Sequence, residues 1–367
     1  MAVTATYLSP GLLSGCLSRP ADGSSTSLGA DTMDNALESM SGLAPFTNHG
    51  PMAAEALVTL GRAGAVAAWV EAYKKRFDSR APGARHKVTK ENWREALGDG
   101  SRVTDWTEFF NRELKEAAWP RVLERWAGVL TPGLAAAAAH GLIRTGHAVR
   151  SLSAKETELR RGELASGLAY WAAYYQPLPE APNGAAKKLK PAQAIHDVPL
   201  LPAEKRLRGS IMVGLRSLDN FPPFAPTADL VEVTDDAGRF LSELTELFAA
   251  VYLKNVNPRN DLILIHTVTA ATALRTLAPY LSPADTRKAL RYGWQVAAAL
   301  YSISGNGPAN ALPEPKEIKR DELIDRAVYA QDEHAIKFTE ACLREYQHNP
   351  KQVYLQAASD AVERLKL

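Results

Sequence analysis

Eight histidines punctuate the 367-residue chain, and several of them stand singly inside apolar segments, where an imidazole could do chemistry. A neutral imidazole can serve as a nitrogen ligand for a transition metal or as a general base, provided a helix or rigid turn holds it in place. His266 is centred in Leu262-Ile263-Leu264-Ile265-His266-Thr267-Val268-Thr269, the most apolar run of the chain. Burial there keeps the ring uncharged and obliges each nitrogen to find a partner, either a metal or a hydrogen bond to threonine or backbone. His140 follows the unbroken Ala135–Ala139 run and precedes Gly141, small neighbours that allow close helix packing. His147 lies about 10.5 Å further along the same helix. The two cannot easily share one ion, so one is expected to be a ligand and the other to face the substrate or support the ligands.

His334 belongs to Asp332-Glu333-His334-Ala335-Ile336-Lys337-Phe338, where Lys337 shares its face one turn on. If both point inward, Lys337 is uncharged or chemically converted, for example carboxylated into an anionic metal ligand; otherwise its amine snorkels to solvent. His49 precedes Gly50-Pro51, a good helix start, since proline there lacks only an N–H that would be unpaired anyway. It reads either as a helix-start residue bonded to a carbonyl or as a rigid group beside which a ligand can approach. His86, between Arg85 and Lys87, and His348, before Asn349-Pro350, read as exposed; His196 lies in a proline-rich loop that could belong to a lid.

The familiar site patterns are missing. There is no Gly-x-Gly-x-x-Gly phosphate fingerprint, so no flavin fold is expected. Nor is there a His-Glu-x-x-His zinc motif, the pair of Glu-x-x-His motifs of a ferritin-like di-iron site, a His-x-Asp/Glu facial triad or a Gly-x-Ser-x-Gly elbow. A metal site here would be an uncommon one.

The elements that must position these residues are helices. Hydrophobic content of 46% with 23% charged residues is that of a globular protein. Helical periodicity fits Pro51 to Arg76, Trp106 to Trp126, Pro132 to Leu152, Thr157 to Tyr175 and Ala203 to Arg216. It continues in Thr234 to Tyr252, Asp261 to Leu277, Pro283 to Tyr301, Asp321 to Tyr346 and Pro350 to Leu365. No strand alternation persists, so one all-α globular domain of packed helical pairs is expected over 33–367. Breaks fall at Pro177 to Pro202, at Phe221-Pro222-Pro223-Phe224 and at Ser304 to Pro315. Residues 1–32, rich in Ser, Gly, Ala and Asp towards their end, read as a disordered extension, and translation could begin at Met33. Leu13-Ser14-Gly15-Cys16 resembles a lipoprotein cleavage box, but no Lys or Arg precedes Arg19 and Pro10 interrupts the short apolar region, so lipidation is not expected.

Charge and cysteine content limit the partners. Lys+Arg 43 against Asp+Glu 41 lacks the basicity of a nucleic-acid binder. Cys16 and Cys342 alone make no disulfide framework, which suits a reducing cytoplasm. Charged or small polar residues interrupt every run before roughly 18 apolar residues accumulate, so no membrane span is expected.

The segments His49-Gly50-Pro51-Met52-Ala53-Ala54-Glu55-Ala56-Leu57 to Leu60-Gly61-Arg62 and Trp69-Val70-Glu71-Ala72-Tyr73 resemble the opening of questin oxidase-like proteins. So do His140-Gly141-Leu142-Ile143-Arg144, His266-Thr267-Val268-Thr269 and Asp332-Glu333-His334-Ala335-Ile336-Lys337. The resemblance implies an oxygenase without a flavin-binding fold, opening the ring of an aromatic polyketide or quinone with dioxygen in Baeyer–Villiger-like or dioxygenase fashion. It also implies a non-haem iron centre built from His49, His140, His266 and His334, with Lys337 as candidate fifth ligand and Arg144 or His147 orienting phenolate or quinone oxygens. Two alternatives stay open: a metal-free, NADPH-assisted oxidase using histidine bases, and a non-catalytic helical ligand-binding protein. Under any of these readings the protein could form a homo-oligomer.

Overall fold

The structure, a computed structural model, describes residues 24–43, 48–76, 83–181, 187–307, 311–312, 314 and 317–367, with side chains from Asp31 onward. It is 72% helical and has no strand or sheet among the described residues, which makes it all-α as expected. Residues 1–23 of the expected extension, with the Leu13–Cys16 box, lie outside the described residues. From Ser24 the chain is helical, so the expected domain start at Met33 falls inside a helix.

In chain order the helices are α1 (Ser24–Ser39), α2 (Gly50–Thr59), α3 (Ala63–Lys74), α4 (Trp93–Ala96), α5 (Val103–Glu116), α6 (Trp119–Leu130), α7 (His140–Ala154) and α8 (Glu158–Ala173). There follow α9 (Pro191–Ala194), α10 (Ile211–Arg216), α11 (Ala237–Asn255), α12 (Asp261–Leu277), α13 (Pro283–Ser304), α14 (Arg320–Ala330), α15 (Glu333–His348) and α16 (Gln352–Arg364).

Several expected helices are interrupted, each by an identifiable residue. Pro51 to Arg76 becomes two helices because Gly61 takes a φ of +75°, which a right-handed helix cannot contain. Trp106 to Trp126 divides where Ala117 turns extended at φ −142°, and Trp119-Pro120 starts the next helix. Asp321 to Tyr346 divides at Gln331, with φ +60°. Asp332 then caps α15, its carboxylate accepting from the backbone N–H groups of His334 at 2.7 Å and Ala335 at 3.0 Å. Ala203 to Arg216 breaks at Gly209, with φ +139°, before Ser210 caps α10. The largest departure is at Pro132 to Leu152. Ala137, Ala138 and Ala139 adopt φ of 49°, 59° and 67°, so α7 begins only at His140.

The centre of the fold is a closed ring of four helices, in which α2 packs on α7, α7 on α12, α12 on α15 and α15 on α2. Around it α8 covers α7, α13 and α11 cover α12, and α16 covers α15. Contrary to expectation, the span Asp261–Tyr280 is long and apolar enough by composition to cross a membrane, with a mean hydropathy of 1.3; in the fold 67% of it is buried inside the protein.

Gly141 lets α7 approach α8. A Cβ there would lie 2.5 Å from the Trp171 Cα, a contact the backbone must move to relieve. Gly141→Ala is therefore expected to cost about 2 kcal/mol in urea unfolding, and a variant as stable as the wild type would show that the two helices need not touch so closely. At Ala138 the reverse holds. A left-handed alanine costs roughly 1–2 kcal/mol, so Ala138→Gly should raise stability by up to about 1 kcal/mol after the extra chain entropy of glycine is subtracted.

Candidate metal centre

Three of the four singled-out histidines sit at helix N-termini. His49 is the N-cap of α2, His140 the first residue of α7 and His334 the second of α15, while His266 lies inside α12. The ring of helices brings them to one point. Ring centroids are 4.7 Å apart for His49 and His140, 4.6 Å for His49 and His334, 4.5 Å for His140 and His266 and 6.0 Å for His266 and His334. Nitrogens of His49, His140 and His334 lie within 4.8 Å of one another.

The tautomers follow from the surroundings. The Nδ1–H of His140 donates to the Ala137 carbonyl at 2.6 Å, and that of His266 donates to the Leu262 carbonyl. A carbonyl can only accept, so both protons are on Nδ1 and both Nε2 atoms carry bare lone pairs. These two Nε2 atoms are 3.1 Å apart. Two lone pairs at that distance repel unless an electrophile stands beside both. Burial opposes a proton in this role: it pushes the His140 pKa down to about 3 and that of His266 well below the ordinary histidine value. A metal ion would relieve the repulsion, because both bare Nε2 lone pairs could be donated to it. Four imidazoles form a borderline-soft donor set suited to iron, copper or zinc.

Supporting contacts hold the other two rings. The Asp332 carboxylate that caps α15 also lies 3.5 Å from the His334 Nδ1. The backbone N–H of His49 donates to the Tyr73 hydroxyl at 2.7 Å. Lys337 points inward, its Nζ 3.1 Å from the His49 Nδ1, and burial pushes its pKa down to about 8. Lys337 does not snorkel.

The cluster closes one end of a cavity of about 290 Å³ whose walls are largely apolar: Ala137, Ala138, Tyr170, Ile211, Met212 and Leu262. Ser210 and Glu333 also line it. Sequence reasoning did not single out Glu333, which pairs with Arg76 at 2.7 Å and lies 4.0 Å from the His49 Nδ1. The Ala137–Ala139 turn and the Ser210–Met212 lip were equally unforeseen; the Gly209-Ser210 pair was the available signal for the second. The proline-rich breaks contribute no described residue to the cavity lining.

Arg144 and His147 lie elsewhere. Arg144 makes a two-pronged bond to Glu163, at 2.7 and 2.8 Å, and borders a separate hollow of about 460 Å³. His147 donates from Nδ1 to Glu55 at 2.6 Å, behind the cluster. Neither lines the histidine cavity. His86, His196 and His348 are exposed.

An all-helical fold that closes four histidines and a lysine around the end of an apolar cavity defines a class of helical protein with an internal nitrogen-rich centre. The family model described as Questin oxidase-like matches residues 46–342, and the chain belongs to that family. Membership makes it an oxidoreductase. No curated protein matches the chain.

The depressed histidines set a pH dependence. Burial holds the His140 pKa at about 3 in the folded protein, below the ordinary histidine value of 6.5, so between these values the unfolded chain binds more protons and stability falls as pH falls. From pH 7 to pH 5 the metal-free protein should lose about 2 kcal/mol through this residue. Urea unfolding of His140→Gln should show a correspondingly smaller acid loss, and an identical loss would sink the assignment.

Proposed function

We propose that the protein is an iron-dependent oxygenase that opens a ring of an aromatic polyketide or quinone with dioxygen. The observation that carries this reading is the pair of bare Nε2 atoms of His140 and His266, 3.1 Å apart with both Nδ1 protons committed to carbonyls. His49, His140, His266 and His334 would hold the iron. When bound, it would supply activation of dioxygen and of an electron-rich ring.

The chain's own residues do the remainder. Ile211, Met212, Leu262 and the Ala137–Ala138 wall exclude water and accept a flat apolar ring system. Lys337 is the candidate fifth ligand. An amine whose pKa is pushed to about 8 is partly unprotonated at neutral pH, so its Nζ lone pair can attack carbon dioxide, forming an N–C bond and releasing one proton to leave an anionic carbamate. The metal-free alternative draws less support, because an imidazole with a pKa of about 3 is a feeble general base at neutral pH.

Elemental analysis of protein produced with iron should find it in stoichiometric amount, retained in His348→Ala and lost in His266→Ala. Protein treated with ¹³C-bicarbonate should show a carbamate carbon signal that is missing in Lys337→Ala. Ring-opening activity that survives complete metal removal would overturn the proposal.

A further inference from the structure

The four helices that carry the histidine cluster are joined a second time, by a buried chain of charged groups. Glu55 on α2 accepts from His147 at 2.6 Å and from the Arg150 guanidinium, both on α7. Arg150 reaches on to Glu340 of α15 at 2.6 Å. Glu340 is also 3.1 Å from the Nε of Arg344, whose Nη1 donates to Thr276 of α12 at 2.8 Å. Burial works against the charge on Glu55, but Arg150 and the His147 bond outweigh it and hold the carboxyl well below the usual carboxylate range. At Glu340, Arg150 and Arg344 likewise outweigh burial. Two carboxylates and two guanidiniums therefore face one another in balance.

The placement of this ladder is specific. On every helix its member lies after the histidine: Glu55 after His49, His147 and Arg150 after His140, Thr276 after His266, Glu340 and Arg344 after His334. At 1.5 Å per residue it crosses the ring of helices about 9–15 Å along from the imidazoles. His147, Arg150, Glu340 and Arg344 also border, with Lys337, a void of about 10 Å³. The ladder thus shares a void with the lysine whose Nζ lies 3.1 Å from the His49 Nδ1.

A buried ion pair contributes little net stability, because desolvation offsets most of the attraction; its best-attested use is to select one register of packed helices. Small apolar faces such as those of α2 and α7 let helices slide by fractions of an ångström at little cost. Short charged hydrogen bonds do not, since sliding leaves a buried charge unpaired.

We propose that the Glu55–His147–Arg150–Glu340–Arg344–Thr276 ladder is a positioning device: it sets the axial register of α2, α7, α12 and α15, and with it the convergence of the four imidazoles, without touching substrate. The proposal rests on reading the cluster as the functional centre, and it makes His147 a positioning residue.

The test compares Glu340→Gln with Glu113→Gln, a buried carboxylate on α5 that pairs with Arg125 at 2.9 Å and lies outside the ladder. Two readouts are taken on the full chain: cobalt(II) affinity, and the ¹⁵N–¹H ring signals of histidine-labelled, metal-free protein. Glu340→Gln is expected to weaken cobalt binding about tenfold or more and to move the ring signals of the site histidines. Glu113→Gln should lower the unfolding midpoint and change neither readout. Thr276→Val, which removes a single hydroxyl, should move the His266 signals selectively and stands in if Glu340→Gln does not fold. Wild-type cobalt affinity and unmoved ring signals in both ladder variants, whatever their stability, overturn the proposal. Failure of the wild type to bind cobalt counts against the iron reading instead, and the metal-free ring signals then decide the ladder alone.

Discussion

His140 and His266 present bare nitrogens to each other across 3.1 Å, and much of the architecture serves to hold that unfavourable pair. Each ring is fixed from behind by a carbonyl of its own segment, Ala137 for one and Leu262 for the other. Backbone acceptors of this kind set both the tautomer and the ring orientation of a metal-binding imidazole. His334 and His49 have side-chain partners instead, Asp332 and Lys337. Three rings are anchored within their own segment and that of His49 by Lys337 of α15, so rotating an imidazole away breaks a contact. Only closure of α2, α7, α12 and α15 into a ring brings the four anchors to one place.

The alanine turn shows what this arrangement costs. Three consecutive left-handed alanines stand where five alanines in a row would otherwise continue a helix. Such strain persists where the surroundings overdetermine the backbone, typically at working sites. Here the turn does two things that a continued helix could not. It delivers the Ala137 carbonyl to the Nδ1 of His140, and it lays Ala137 and Ala138 along the cavity as a wall. The Trp171 indole N–H donates to the Gly133 carbonyl at 3.2 Å, and close packing at Gly141 fastens the far side, so the strain is offset by buried contacts with α8.

The fold class was legible because periodicity and composition are global signals: Asp261 to Leu277 was read to its bounds as α12. The histidines were legible because a polar ring in an apolar run needs a partner. Helix breaks were not, where the breaking residue carries no mark: alanine is the best helix former, yet Ala137–Ala139 and Ala117 end helical runs under tertiary constraint. The Gln331 break, by contrast, precedes Asp332, a capping residue that could have been recognised. Arg144 and His147 drew attention as polar groups on an apolar helix, but the partners that occupy them, Glu163 and Glu55, are 19 and 92 residues away. No local pattern announces such pairings.

Charge is the remaining constraint, and it bears on Lys337. Three helices, α2, α7 and α15, direct their N-termini, each a partial positive charge, at the cluster. Under the iron reading, a cation held by the four imidazoles would add to that positive field beside a largely apolar cavity. The Asp332 carboxylate, 3.5 Å from the His334 Nδ1, offsets part of that field; Glu333 is committed to Arg76, and Glu55 and Glu340 are balanced by Arg150 and Arg344. An ammonium at Lys337 would deepen the imbalance and a neutral amine would leave it. A carbamate would reverse the sign at the buried side chain whose Nζ lies 3.1 Å from the His49 Nδ1. Under the same proposed reading, an anionic oxygen of a substrate entering the cavity would meet three helix N-termini, whose partial positive charge favours an anion.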